Sequence, residues 1–78
     1  MNPRVKNVWA LDDFTLKIEF TNGELKIFDV KPYLDSGFFK ELKDYNKFRF
    51  VKVFLGSIQW QGGQDLCPDM LYLESKKL

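Results

Sequence analysis

Asp65 and Asp69, with Cys67 between them and Trp60 shortly before, are the residues whose types and spacing could do chemistry in this chain. Four positions apart on a helix, two carboxylates share a face, as a general acid/base pair or a two-oxygen metal site requires. Asp29 could bring a third oxygen. The plainer reading is stronger: an aspartate ahead of a helix caps free N–H groups, worth about 1 kcal/mol, and one in the first turn complements the helix dipole. Cys67 near a helix start would have an activated thiol, but no histidine or adjacent cation supports it. Histidine is absent from the whole chain, which removes the commonest general base near neutral pH and the commonest zinc ligand. No catalytic residue, metal ligand or cofactor site is therefore assigned, and the chain is read as a non-enzyme.

The segment 38–54 carries a second chemistry. Lys40, Lys43, Lys47, Arg49 and Lys52 stand there against Glu41 and Asp44, interleaved with aromatic rings. A single-strand nucleic-acid binder uses such a mixture, cation for phosphate and ring for base. Lys47-Phe48-Arg49-Phe50-Val51 echoes an RNA-recognition signature, yet lacks its glycine and is one residue short. An aromatic core fringed by solvated lysines is the competing reading. Trp60 and Tyr72 could offer a binding platform, although packing is the commoner use of such rings.

These residues must be held by a small scaffold. Leu16, Ile18 and Phe20 alternate with Lys17 and Glu19, Asn22-Gly23 interrupts, and Leu25 and Ile27 alternate with Glu24 and Lys26. That is a β-hairpin, and a two-residue type I′ turn at Asn22-Gly23 would pair Phe20 with Leu25 and Ile18 with Ile27 on the buried face. Phe28 and Val30 then fall on the wet face, where they are candidates for an interaction surface or mark a bulge. Val5–Leu11 supplies a strand before the hairpin, with a turn at Asp12-Asp13. Phe38, Phe39, Leu42 and Tyr45 keep helical spacing after Ser36-Gly37 and predict a short helix over the sheet. The second half of 47–55 is read as a strand closed by Gly56, Ser57–Trp60 as its return, and Pro68–Tyr72 as a short helix with Asp65 or Cys67 near its cap. Trp9, in the first strand, is expected to pack. The tail beyond residue 75 is expected to fray. The predicted architecture is α+β: a small two-layer domain over residues 3–75, mainly antiparallel sheet, in the order βββ-α-ββ-α.

Composition sets limits. A chain of 78 residues that is 45% hydrophobic and 17% aromatic has enough apolar matter for one core, burying roughly 60% of its unfolded surface. A net charge of +1 argues against binding nucleic acid or membrane through the overall field, so any such contact must be local. One cysteine permits no internal disulfide, and no apolar run approaches a membrane span, which fits a soluble, cytoplasmic protein.

The order and spacing of several pieces resemble a small bacterial family known as domain of unknown function 2442. The pieces are Pro3-Arg4-Val5, Leu11-Asp12-Asp13, Asn22-Gly23-Glu24, Phe28-Asp29-Val30-Lys31-Pro32, Gly37-Phe38-Phe39-Lys40-Glu41-Leu42 and Val51-Lys52-Val53, then Trp60, Gly63, Asp65-Leu66, Pro68-Asp69 and Leu71-Tyr72. The resemblance implies an α+β fold and no established activity. It also implies a link to regulatory proteins, since some relatives carry a helix-turn-helix domain and others look like toxin–antitoxin components. Where that family often has a Trp-Pro-Asn-Gly turn, this chain has Trp60-Gln61-Gly62-Gly63. The leading expectation is a non-enzymatic module that binds itself or a partner protein. The alternative is an antitoxin-like or regulatory protein touching nucleic acid through Lys40–Lys52. Candidate interaction residues are Phe28, Val30, Lys40, Lys43, Lys47, Arg49, Lys52, Trp60, Asp65 and Tyr72.

Overall fold

A computed structural model describes residues 2–78. Alternation of apolar and polar side chains gives β1 (Val5–Ala10), β2 (Thr15–Phe20) and β3 (Leu25–Asp29), an antiparallel meander. A 3-10 turn at Lys31–Tyr33, a 3-10 helix at Gly37–Lys43 and one α-turn, α1 (Tyr45–Phe48), follow β3 in the chain. The Asp44 side chain caps α1 by accepting the Asn46 N–H at 3.0 Å. Then β4 (Lys52–Phe54), β5 (Ser57–Gln59) and β6 (Asp65–Leu66) make a second antiparallel sheet, and α2 (Pro68–Glu74) leads to β7 (Lys76–Lys77). The fold is α+β, as expected, with short helices and sheets ordered β1-β2-β3-β7 and β4-β5-β6. The Val5 N–H joins the two sheets by donating to the Gly56 carbonyl at 2.9 Å. No helix among the described residues is long and apolar enough to cross a membrane.

The hairpin register differs by one residue from the sequence expectation. Ile18 faces Lys26 and Leu16 faces Phe28, because the turn has three residues rather than two. The Phe20 N–H donates to the Glu24 carbonyl and the Gly23 N–H to the Phe20 carbonyl, both at 2.9 Å, with Gly23 at φ +89°. A type I turn closed by a left-handed glycine has this pattern. A one-residue slip moves every side chain of a strand to the other face. Phe28 and Val30 consequently lie in the core, while Leu25 is exposed and Ile27 half-buried. They are not interaction residues, which corrects that assignment. Phe28 is the larger prize for the core, and Lys26 tolerates the inward position because its stem packs while its ammonium donates to the Tyr72 carbonyl at 2.9 Å.

The core gathers Leu16, Ile18 and Phe20 of β2, Phe28, Val30, Leu42, Phe48, Ile58, Trp60 and Leu71. Phe14 turns left-handed at φ +62° after β1, and its ring lies against Tyr45 and Phe48 with centroids 5.6 and 5.1 Å away. Trp9 is not in this core; it stands exposed on the outer face of β1 with the Lys17 ammonium 5.3 Å from its ring centre. The tail, expected to fray, is paired in this structure: Lys76 and Lys77 pair with Ile27 and Lys26, and the Leu78 N–H donates to the Leu25 carbonyl at 3.2 Å. The free edge of β3 offered hydrogen-bonding groups that the tail's composition does not announce.

The β4–β5 turn is type I′, with Leu55 at φ +51° and Gly56 at φ +78°. A left-handed leucine costs about 1–2 kcal/mol, whereas asparagine tolerates that region. Leu55→Asn should therefore raise stability by about 1 kcal/mol and the melting temperature by about 4–8 °C, measured by calorimetry.

Candidate functional site

Two stretches singled out in the sequence meet at one cleft of about 290 Å³. Its lining comes from the 3-10 helix (Glu41, Leu42), from α1 and the turn after it (Asn46, Lys47, Phe50), and from the 60–62 turn (Trp60, Gln61, Gly62). Trp60 is core rather than platform: its indole N–H donates to the Phe48 carbonyl at 2.9 Å, and only part of the ring borders the cleft. Phe50 is 59% exposed at the rim.

Behind the lining sits Gln64, 1% exposed. Its Nε2 donates to the Phe38 carbonyl at 3.0 Å and to Glu41 Oε1 at 2.8 Å; both are acceptors, so the amide orientation is fixed. Its Oε1 has no hydrogen-bond partner among the described residues. Gly62 permits this arrangement, since a Cβ there would lie 2.2 Å from Glu41 Oε1 and 2.7 Å from Gln64 Oε1. The other Glu41 oxygen, Oε2, lies 3.6 Å from the Lys47 ammonium. Gln64, Gly62 and Glu41 were not singled out from sequence. Gln64 is two positions before buried Leu66, the strand period that marks an inward residue.

The basic strip divides. Lys43 pairs with Asp35 at 2.5 Å and Lys47 with Glu41, while Lys40, Arg49 and Lys52 have no carboxylate within 4 Å among the described residues. All five are exposed. Arg49 lies 5.0 Å from the Phe50 ring centre.

A second, open groove of about 380 Å³ lies beside the β4–β5 turn, lined by Phe54, Leu55, Ser57, Asp65, Cys67 and Pro68 among others. Asp65 pairs in register with Gln59, which pairs with Lys52, so the three share one face of the small sheet. Asp65 is thus a strand residue and Asp69 a first-turn helix residue: the shared helical face and the capping role read for Asp65 both fail. Cys67 occupies the N-cap position without a side-chain cap bond, and its thiol is exposed. Among the described residues, no three carboxylate or thiol side chains gather where a metal could sit.

Tyr72 docks α2 on the first hairpin. Its ring lies edge-on to Phe20 at 5.1 Å and under the Lys26 ammonium at 3.7 Å, and its hydroxyl donates to Glu24 Oε1 at 2.5 Å. That bond, aided by the Asn22 amide, holds the Glu24 carboxyl below its ordinary range. The same bond, with some desolvation, holds the Tyr72 hydroxyl above the ordinary tyrosine range. Glu24's contribution is therefore present above its unfolded value of about 4.3 and is lost as pH falls through the lower folded value; Tyr72's is present below about 10 and is lost as pH rises through its higher folded value. Tyr72→Phe should move the Glu24 titration upward, as read by carboxyl-carbon NMR.

The family model described as protein of unknown function (DUF2442) matches residues 5–77, nearly the whole chain. The chain belongs to that family. Neither a curated protein nor a solved structure matches it. Within this DUF2442 chain, the family pieces Trp60, Gly63, Asp65-Leu66 and Leu71-Tyr72 now have structural duties. Trp60 and Leu71 fill the core, Gly63 closes a turn at φ +94°, and Tyr72 fastens the last helix.

Proposed function

We propose that this protein is a non-enzymatic interaction module that binds a partner protein through the β4–β5 turn and the groove beside it. The supporting observation is Leu55, 87% exposed and left-handed at φ +51°. An apolar side chain held in an unfavourable backbone region at an exposed tip lowers stability without serving the core, and such strain collects where a contact uses it. Phe54, 44% exposed, extends the apolar surface into the groove. Lys52 and Asp65, on one face, would orient a polar rim around a partner's apolar side chain. The cytoplasm is the compartment this reading expects, since an exposed thiol such as Cys67 stays reduced there.

The test uses one substitution with two opposite effects. Wild type and Leu55→Asn serve as bait in native lysate, with captured proteins identified by mass spectrometry and then titrated in purified form. The expected result is a protein held by wild type and released by the more stable Leu55→Asn. Equal binding by both would remove the turn from the interface. Light scattering across a concentration range asks whether a second copy is the partner instead, which predicts a dimer abolished by the same substitution.

A second reading has its own support. Arg49 beside exposed Phe50, with Lys52 and exposed Phe54 close in the chain, combines free cations with open rings, as single-strand binding does. It predicts salt-sensitive binding of a mixed DNA and RNA pool that weakens in Arg49→Ala/Lys52→Ala.

A further inference from the structure

We propose that the outer face of the first sheet binds a second copy of this chain, about a two-fold axis that crosses the strands. This surface is separate from the β4–β5 turn, and neither depends on the other. Leu16, Ile18, Phe20 and Phe28 commit the inner face of the sheet to the core, so the residues that alternate with them point the other way. Two rows of side chains result. Trp9 is opposite Lys17 and Lys17 opposite Ile27, which sets one row across β1, β2 and β3; Asn7 is opposite Glu19 and Glu19 opposite Leu25, which sets the next. Trp9 is 45% and Leu25 40% exposed, so the face lies open to solvent.

The two rows complement each other. Lys17 and Glu19 share this face two positions apart on β2, yet neither has an opposite charge within 4 Å among the described residues. Glu19 instead accepts the Asn7 amide at 2.8 Å, and the Lys17 ammonium lies 5.3 Å from the Trp9 ring centre. A two-fold axis lying between the rows exchanges them. Lys17 then meets the partner's Glu19, Glu19 meets the partner's Lys17, and Ile27 and Leu25 meet in the same reciprocal way. One patch thus supplies two ion pairs and two apolar pairs to its own copy, as an isologous contact requires. An axis running along the strands would set Lys17 on Lys17. Sheets packed face to face sit about 10 Å apart and within about 30° of alignment, a rotation that displaces outer strands most, so the pairs on β2 and β3 carry the contact. The face has four strands, the last of two residues, which places the dimer among the small, concentration-dependent ones.

The experiment is sedimentation of the full chain over a concentration series reaching about 500 µM, with Lys17→Glu, Glu19→Lys and an equal mixture of the two variants beside wild type. The expected result is a wild-type dimer with a Kd of about 10–100 µM. Each single substitution sets like charges opposite each other at both contacts and should weaken it at least about tenfold, whereas the mixture should restore a dimer because unlike charges meet again. Amide NMR of wild type on dilution needs no variant and should show shifts at Lys17, Glu19, Leu25 and Ile27. A wild type that stays monomeric at the highest concentration, dilution shifts that avoid these residues, single variants that dimerise like wild type, or a mixture that stays monomeric each overturns the proposal. Leu55→Asn should leave this dimer intact. A dimer lost in Leu55→Asn and kept in Lys17→Glu belongs to the β4–β5 turn and overturns the outer-face contact, while a monomeric wild type leaves the partner-protein reading to its own capture experiment.

Discussion

Phe28→Ala is expected to destabilise the protein by about 3–5 kcal/mol, whereas Ile27→Ala, one position earlier, should cost about 1 kcal/mol or less. The contrast follows from the three-residue turn. Phe28 is buried opposite Leu16 and stacks on Tyr33 at 5.7 Å, while Ile27 points to the outer face opposite Lys17. Small domains hold only about 5–15 kcal/mol in total, so Phe28→Ala should bring this one near unfolding at room temperature. Urea melts of both variants decide the matter. If Ile27→Ala proves the costlier change, the hairpin has the two-residue register and every face in the first sheet is reversed.

The second large effect belongs to Trp60. Trp60→Ala removes a buried ring that touches both sides of the fold, lying edge-on to Phe39 at 6.3 Å and beside Phe48 at 5.9 Å, and should cost about 3–5 kcal/mol. Trp60→Phe separates packing from hydrogen bonding. It keeps a ring but leaves the Phe48 carbonyl at the end of α1 with only the Val51 N–H, at 3.3 Å, for about 0.5–1.5 kcal/mol. Melting curves should rank wild type above Trp60→Phe and Trp60→Phe above Trp60→Ala. A phenylalanine variant as stable as wild type would mean that the indole N–H adds nothing to the joint between α1 and β5.

How much of this was legible from sequence depends on the range of the interaction involved. The hairpin at Asn22-Gly23 was legible because period-two alternation and a turn dipeptide are local signals. Its register was not, because Asn-Gly serves two turn lengths and both faces of β3 are apolar: Leu25 and Ile27 on one, Phe28 and Val30 on the other. Trp60, offered as an interaction residue although packing is the commoner use of such a ring, lies in the core. Asp65 was read as a cap ahead of the helix that Pro68 starts, yet Gln59 captures it into β6. The basic strip lost two of its cations to Asp35 and Glu41, partners that a count of charges along a segment cannot assign. The contact between Gln64 and Glu41 was the least visible, since the two are 23 positions apart and neither side chain alone announces it.

Lys26 bears on how the chain leaves the ribosome. Its ammonium finds the Tyr72 carbonyl only after 46 further positions have been made, a delay of seconds at a typical synthesis rate of about 5–20 residues per second. Through that interval the inner side of the newborn hairpin carries a positive charge among Ile18, Phe20 and Phe28. Inward charges of this kind discourage strands from adhering to one another. The lysine thus protects the nascent half of the molecule first, and becomes part of its interior once the last helix arrives.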